Sequence, residues 1–300
     1  MAAESVRDLL VDLSSRYGDW CTPVVKPFSL NFRNAEGSAI LKIYRGIDPV
    51  RRQEREIQAL SSAFKCGLKT PQVLEAERLG PDAWVLVTVV PGRPLTLGKS
   101  VDMEEYLHYV QALTRALADQ QPPAAPGAGW GHNHDFHSTS EYLTGMLSAR
   151  ARRTSWWLEL CSKLADLDGA PLVHLHGDVK PEHILVEAGR MYVVDWEACA
   201  RGPAVMDVAD AVFHAVRDYQ YDSVEGCVAS ALRALALTDH NMPPLLAWRV
   251  ALWADRRRQL DIEGLPGQLM TELLTSVTAV DACTVLIRIV REMCKTGTPR

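Results

Sequence analysis

The chain has 300 residues, 47% of them hydrophobic, and a formal net charge of −5. That length exceeds one small core and suits two lobes of one folded unit, while the apolar content excludes a disordered chain. The negative balance argues against a nucleic-acid partner, and no apolar run approaches the roughly 18 residues of a membrane span.

The N-terminus lacks a basic stretch followed by an apolar one, so no secretory signal is expected. Seven cysteines without a CxxC pair, an odd count, argue against a disulfide framework and suit a reducing, cytoplasmic compartment. Charge is unevenly spread. Residues 1–94 carry 13 basic and 11 acidic side chains, or +2, and residues 95–300 carry 19 and 26, or −7. An acidic second part would suit a cationic acceptor, although acidic helical surfaces are common without a ligand.

In chain order, residues 27–37 hold a single glycine, Gly37, so they form no glycine-rich phosphate loop, and no Walker-type Gly-Lys-Ser/Thr occurs. Ser29 and Asn31 are either phosphate donors or ordinary turn residues. Ala39 to Tyr44 reads as a strand with Lys42 inside it, facing solvent or reaching toward phosphate. A helix follows over Arg51 to Leu60, with Glu54 and Glu56 as acids able to pair with Lys42. Trp84 to Val90 reads as a buried strand stopped by Pro91-Gly92.

Helical spacing then runs from Asp102 to Asp119, and again from Ser138 to Leu167 as two helices. Between them lies a Pro/Gly connection, residues 121–129. His132, His134 and His137 cluster beside Asp135, a set better suited to a polar loop than to zinc. Trp156-Trp157 reads as core on one side and surface contact on the other. His176-Gly177-Asp178-Val179-Lys180-Pro181-Glu182-His183 forms a polar loop. Two short strands follow, Ile184 to Val186 and Met191 to Val194, around Ala188-Gly189, and Asp195 comes directly after the second. Beyond Asp207, helices are expected over Ala211 to Val216, Ser223 to Leu237, Pro244 to Leu260 and Gln268 to Met293. Arg256-Arg257-Arg258 reads as a solvated helical face, or as a grip for a phosphate or an acidic peptide.

Two acids around a strand pair suit phosphoryl transfer. A hard divalent ion prefers a carboxylate at a strand end, and an acceptor hydroxyl needs an oxygen to orient it. The stretch from 174 to 210 resembles the catalytic core of the aminoglycoside phosphotransferase and choline kinase-like family, relatives of the protein kinases. Family members carry His-Gly-Asp, four residues, Asn, a strand pair and Asp.

The resemblance implies an α+β, two-lobed protein-kinase-like fold. Residues 1–94 would be the small antiparallel-sheet lobe with one helix, and 95–300 a larger, mainly helical lobe. It implies Asp178 as catalytic base, Asp195 as principal metal ligand and Lys180 as a neutraliser of the transferring group. It also implies Lys42 on the phosphates, held by Glu56 with Glu54 as fallback, and backbone at Thr88 and Val90 against the adenine. Asp207 would brace the loop. His183 stands where the family has Asn. It is either a weaker metal ligand, one that favours Mn²⁺, or only a hydrogen-bond partner of Asp178.

The cofactors implied are ATP with Mg²⁺ or Mn²⁺. The activity implied is phosphorylation of a hydroxyl on a small molecule, such as an aminoglycoside-like antibiotic. The alternatives are a Ser/Thr kinase of a ribosomal peptide pathway and a pseudokinase binding module.

Overall fold

The computed structural model describes residues 2–95, 100–118, 136–218, 241–256 and 262–296. The chain forms two compact units, one of residues 1–93 and 185–199, the other of 94–184 and 200–300. The first is built on an antiparallel sheet and the second is mainly helical, an α+β architecture.

In the first unit, helix α1 (Ala2–Tyr17) precedes strands β1 (Val24–Lys26), β2 (Ser29–Arg33) and β3 (Ala39–Tyr44). Helix α2 (Pro49–Lys65) comes next, then β4 (Val73–Leu79) and β5 (Asp82–Thr88). The sheet order is β1-β2-β3-β5-β4, and every neighbouring pair is antiparallel. Alternation along β3 decides what faces where. Ala39, Leu41 and Ile43 join Leu13, Phe32, Trp84 and Leu86 in one apolar cluster, against which Leu9 and Leu10 of α1 pack. Lys42 and Tyr44 point to the other face, toward α2.

That helix begins with Pro49 in its first turn, where a missing N–H costs nothing. Its buried stripe is Gln53, Glu56, Ala59, Leu60 and Ala63, so two polar side chains go inward. Glu54 is exposed and faces away from Lys42. Ser29 and Asn31 lie inside β2 rather than in a turn, Asn31 directly opposite Lys42.

The short strand β6 (Arg93–Pro94) follows Gly92, which has φ 104°; a Cβ there would lie 3.1 Å from the backbone carbonyl of Val186. Only glycine fits that approach. The expected strand pair is present as β8 (Ile184–Glu187) and β9 (Arg190–Val193). Ala188 and Gly189 join them with φ of 48° and 72°, the two positive values of a tight hairpin turn.

In the second unit, α3 (Ser100–Ala118) buries Met103, Tyr106, Leu107, Val110, Leu113 and Leu117 along one face. Helices α4 (Thr139–Gly145) and α5 (Trp157–Ala165) occupy the stretch read as two helices, with 3₁₀ turns at Ala151–Arg153 and Asp166–Gly169. Trp156 is fully buried and Trp157 half-buried. A two-stranded ribbon pairs β7 (Val173–Leu175) with β10 (Ala200–Gly202). Helix α6 (Val205–Asp218) begins six residues before the expected Ala211. Helix α7 (Met242–Arg256) is buried on nearly all sides, as a central helix must be.

The single helix expected over 268–293 is two, α8 (Gly267–Leu274) and α9 (Ala279–Thr296). Thr278 ends the continuity: its hydroxyl accepts the Asp281 N–H at 3.1 Å and starts α9 as a new helix. His132, His134, Asp135, residues 121–129, the helix read over 223–237, and Arg257-Arg258 lie outside the described residues. Cys21 and Cys161 are free thiols, and no described helix is long and apolar enough to cross a membrane.

Candidate active site

Lys42 is a cation in an apolar strand, and the structure surrounds it with carboxylates. Its Nζ lies 2.8 Å from Glu56 Oε2, 3.0 Å from Asp195 Oδ1 and 2.8 Å from Glu197 Oε2. Burial alone would strip its proton. Glu56, then Tyr44, Asp195 and Glu197, outweigh that and hold the ammonium well above its ordinary pKa. Tyr44 donates its hydroxyl to the same Glu56 oxygen. Arg52 holds Glu197 through Nε at 2.7 Å, and Lys26 reaches Asp195 Oδ2 at 3.1 Å.

Asp195 has φ 61° and ψ 60°, a left-handed conformation that a non-glycine residue rarely keeps. It directly follows β9, whose Val193 N–H donates to the Lys69 carbonyl at 2.9 Å. The Trp196 indole then donates to the Val193 carbonyl at 3.0 Å and folds the segment back on itself. Oxygens of Glu56, Asp195 and Glu197 lie within 4.8 Å of one another.

In the second unit, the loop after β7 has its backbone groups accounted for in turn. The His176 and Gly177 N–H groups donate to the two oxygens of Asp207 at 2.7 and 2.9 Å. The Asp178 N–H points to His176 Nδ1 at 3.4 Å. The Val179 N–H donates to Asp210 Oδ2 at 2.9 Å, and the Val179 carbonyl accepts the Tyr106 hydroxyl at 2.9 Å. Gly177 has φ 80°, which the turn into Asp178 requires.

The side chain of Asp178 meets Lys180 Nζ at 2.7 Å and His214 Nε2 at 3.6 Å. Burial opposes its ionisation. The hydrogen bond with His214 and the charge of Lys180 overcome this and keep the carboxyl below the usual carboxylate range. Asp207 behaves oppositely: complete burial pushes it up to about 7, against the pull of its two backbone donors. His183 Nδ1 lies 2.8 Å from the Asp178 carbonyl, so the ring is placed as a donor to the loop.

Within each unit, then, residues far apart in sequence come together. Lys42, Glu56 and Asp195 share one cluster; Asp178, Lys180 and His183 share another. Thr88 ends β5, with its N–H donated to the Gln72 carbonyl at 2.9 Å and its hydroxyl accepting the Gln72 N–H at 2.9 Å. Val90 lies just past the strand, half-buried.

Sequence reasoning missed Glu197, Arg52, Asp210 and His214. The last two had a readable signal. Asp207, Asp210 and His214 are spaced three and four residues apart, which puts all three on one helix face. Glu197 had none, because a 3₁₀ turn over Trp196–Ala198 decides its direction.

A family model described as the phosphotransferase enzyme family matches residues 29–248. Among solved structures, the aminoglycoside phosphotransferase APH(4)-Ia is similar over 99% of this chain and 100% of its own, with 15% identity and a TM-score of 0.63. The amicoumacin kinase hAmiN, in complex with AMP-PNP, Ca²⁺ and Ami, is similar over 97% of this chain and 94% of its own, with 15% identity and a TM-score of 0.63. APH(3'')-Id from Streptomyces rimosus ATCC10970, in complex with ADP and streptomycin, covers 81% of this chain and 98% of its own, with 19% identity and a TM-score of 0.59. At these identities the likeness is one of fold. No curated protein matches the sequence.

Proposed function

The chain belongs to the phosphotransferase enzyme family, and from that membership we propose that it transfers the γ-phosphoryl group of ATP to a hydroxyl of a small molecule. The observation that carries the reading is the Lys42 cluster. A buried ammonium is kept charged by Glu56 on α2 and shared with Asp195 after β9. An ammonium so held suits phosphate oxygens, and Glu56 fixes its direction. The backbone at Thr88 and Val90 is the segment for the adenine edge.

Asp195 and Glu197 offer hard oxygen donors close together, a donor set that fits Mg²⁺ or Mn²⁺. Such an ion supplies charge neutralisation to the phosphates when bound. His183 is the second candidate ligand, and imidazole there favours Mn²⁺ over Mg²⁺.

Asp178 is ionised at neutral pH, so it accepts a hydrogen bond from the acceptor O–H and orients its oxygen. As the bond from that oxygen to the γ-phosphorus forms, the bond to the bridging oxygen of ADP breaks. The hydroxyl proton passes to Asp178 late, and ADP leaves with the bonding pair. A carboxylate held this far below neutrality is a weak base, which suits a loose transition state in which positioning dominates. Lys180 balances its charge and then that of the transferring group.

Solved relatives in fold bind hygromycin B, streptomycin and amicoumacin. These support a small-molecule acceptor, and nothing among the described residues favours a peptide. The balance of −7 over residues 95–300 would suit a cation. Purified protein with ATP and Mg²⁺ or Mn²⁺, screened against small alcohols by mass spectrometry, tests the reading. A gain of one phosphate, lost in Asp178→Asn, is expected. ATP binding without transfer to any acceptor under either metal would point to a pseudokinase.

A further inference from the structure

Lys26 ends β1, an edge strand of the sheet, and pairs with Ser29 across the turn Pro27-Phe28. The proline after it favours extended backbone at Lys26. The tip of this hairpin is anchored: the Phe28 carbonyl accepts the Arg45 N–H at 2.9 Å and Arg52 Nη1 at 3.1 Å. Arg52 in turn holds Glu197 through Nε at 2.7 Å. The hairpin is therefore tied to the segment that carries Asp195, and its lysine reaches Asp195 Oδ2 at 3.1 Å. Lys42 takes the other oxygen, Oδ1, at 3.0 Å. Each oxygen of the carboxylate read as the metal ligand is thus held by an ammonium group.

The two lysines are not equivalent. The Lys42 side chain is 8% exposed and shares Glu56 and Glu197 as well as Asp195, so losing one carboxylate leaves it paired. The Lys26 side chain is 48% exposed, and among the described residues Asp195 is the carboxylate it meets. A divalent ion at Asp195 repels an ammonium on the same carboxylate. Lys26 is the one that gives way, because water already reaches it, whereas withdrawal of Lys42 would strand Glu56 in the interior. Phosphate oxygens on that ion offer the displaced ammonium a new anionic partner beside the old one.

We propose that Lys26 is a second lysine of the nucleotide site, one that guards the Asp195 oxygen against a bare divalent ion and passes to the nucleotide's phosphates when metal and nucleotide bind together. The exchange makes the two ligands cooperative: each strengthens the binding of the other by the same factor. The inference rests on reading Asp195 as the metal ligand and Lys42 as a phosphate lysine. The ion pair with Asp195 is what gives Lys26 this role, since a lysine without that partner would bind phosphate equally with and without the ion.

Mn²⁺ and AMP-PNP report the exchange without turnover. Mn²⁺ affinity is read by electron paramagnetic resonance, and AMP-PNP affinity by calorimetry with and without Mn²⁺. The proteins compared are wild type, Lys26→Met, Lys26→Arg, Arg45→Gln and Asp195→Ala. Lys26→Met should bind Mn²⁺ alone about three- to ten-fold more tightly, and AMP-PNP with Mn²⁺ about three- to ten-fold more weakly. The factor by which Mn²⁺ improves AMP-PNP affinity should fall accordingly, and Lys26→Arg, which keeps the charge, should restore most of it. Arg45→Gln removes a cation that lies 3.7 Å from Asp82 instead, and should change neither affinity. Unchanged or weaker Mn²⁺ binding by Lys26→Met, an equal loss of AMP-PNP affinity with and without Mn²⁺, or an equal effect from Arg45→Gln would overturn the proposal. A Mn²⁺ affinity that Asp195→Ala leaves unmoved would overturn it too, by removing the metal reading itself. An Asp195-dependent ion indifferent to Lys26 would sink the proposal and leave that reading standing.

Discussion

Lys42 and Asp178 are the two side chains on which the proposed chemistry rests, and burial treats them differently. Lys42 lies 6% exposed among acids whose own burial depends on it. Lys42→Met leaves Glu56 buried without its cation, which should cost about 3–5 kcal/mol in denaturant unfolding. The double variant Lys42→Met/Glu56→Leu should regain most of that stability and none of the activity. If the single variant is as stable as wild type, the cluster does not hold this lobe together. Asp178→Asn should lower kcat by about 10²- to 10⁴-fold. Because the folded pKa of Asp178 lies below its unfolded value, its charge stabilises the fold above pH ~4, and that contribution disappears as pH falls. The Asn variant should therefore show a shallower loss of stability in acid, measured by thermal melts across pH.

At the scale of elements, α6 is the device that shapes the loop around Asp178. One face supplies Asp207 to two backbone N–H groups, Asp210 to a third and His214 to the Asp178 carboxylate. Asp207→Ala leaves two buried donors without an acceptor, at about 1–3 kcal/mol each, and should lower both stability and kcat. The pH dependence has a definite sign. Asp207 is raised to about 7, so its stabilising protonated form is complete below pH ~4 and is lost as pH rises through about 7. Asp207→Ala should flatten that segment of the stability curve. An unchanged slope between pH 4 and 7 would assign it to another group.

For the molecule as a whole, nucleotide and metal should act as one ligand. ADP with Mg²⁺ at about 100 times its Kd adds about 2.7 kcal/mol of stability, which for a chain of this size is several degrees in Tm. EDTA should reverse most of the rise, and Asp195→Ala should remove the metal-dependent part. A nucleotide shift indifferent to EDTA would detach Asp195 from the metal role. The fold is shared with solved phosphotransferases at 14–20% identity, so the acceptor is written in side chains rather than in topology.

Much of the site was legible because its parts are local. A lysine inside an apolar strand, an acid on the inward stripe of the next helix, and His-Gly-Asp ahead of a short hairpin can each be read from period and spacing. Gly189 marked the hairpin turn, but the positive φ of Ala188 was not legible, because alanine rarely adopts it. The Ser29–Arg33 strand alternates Leu30 and Phe32 with polar residues, a readable period of two that was missed. The break at Thr278 was not legible, because one threonine cap outweighs a continuous apolar pattern only in context. The company each charge keeps was a tertiary outcome as well. Glu197 joins Lys42 through a 3₁₀ turn, and Arg249, 71 residues beyond Asp178, reaches its neighbourhood only because α6 and α7 pack together. By itself the sequence determined the fold class and the acids that could do the chemistry, since both follow from periodicity and residue type. The tertiary structure alone decided which charges gather around Lys42 and Asp178, because Coulomb interactions depend on distance through space and not along the chain.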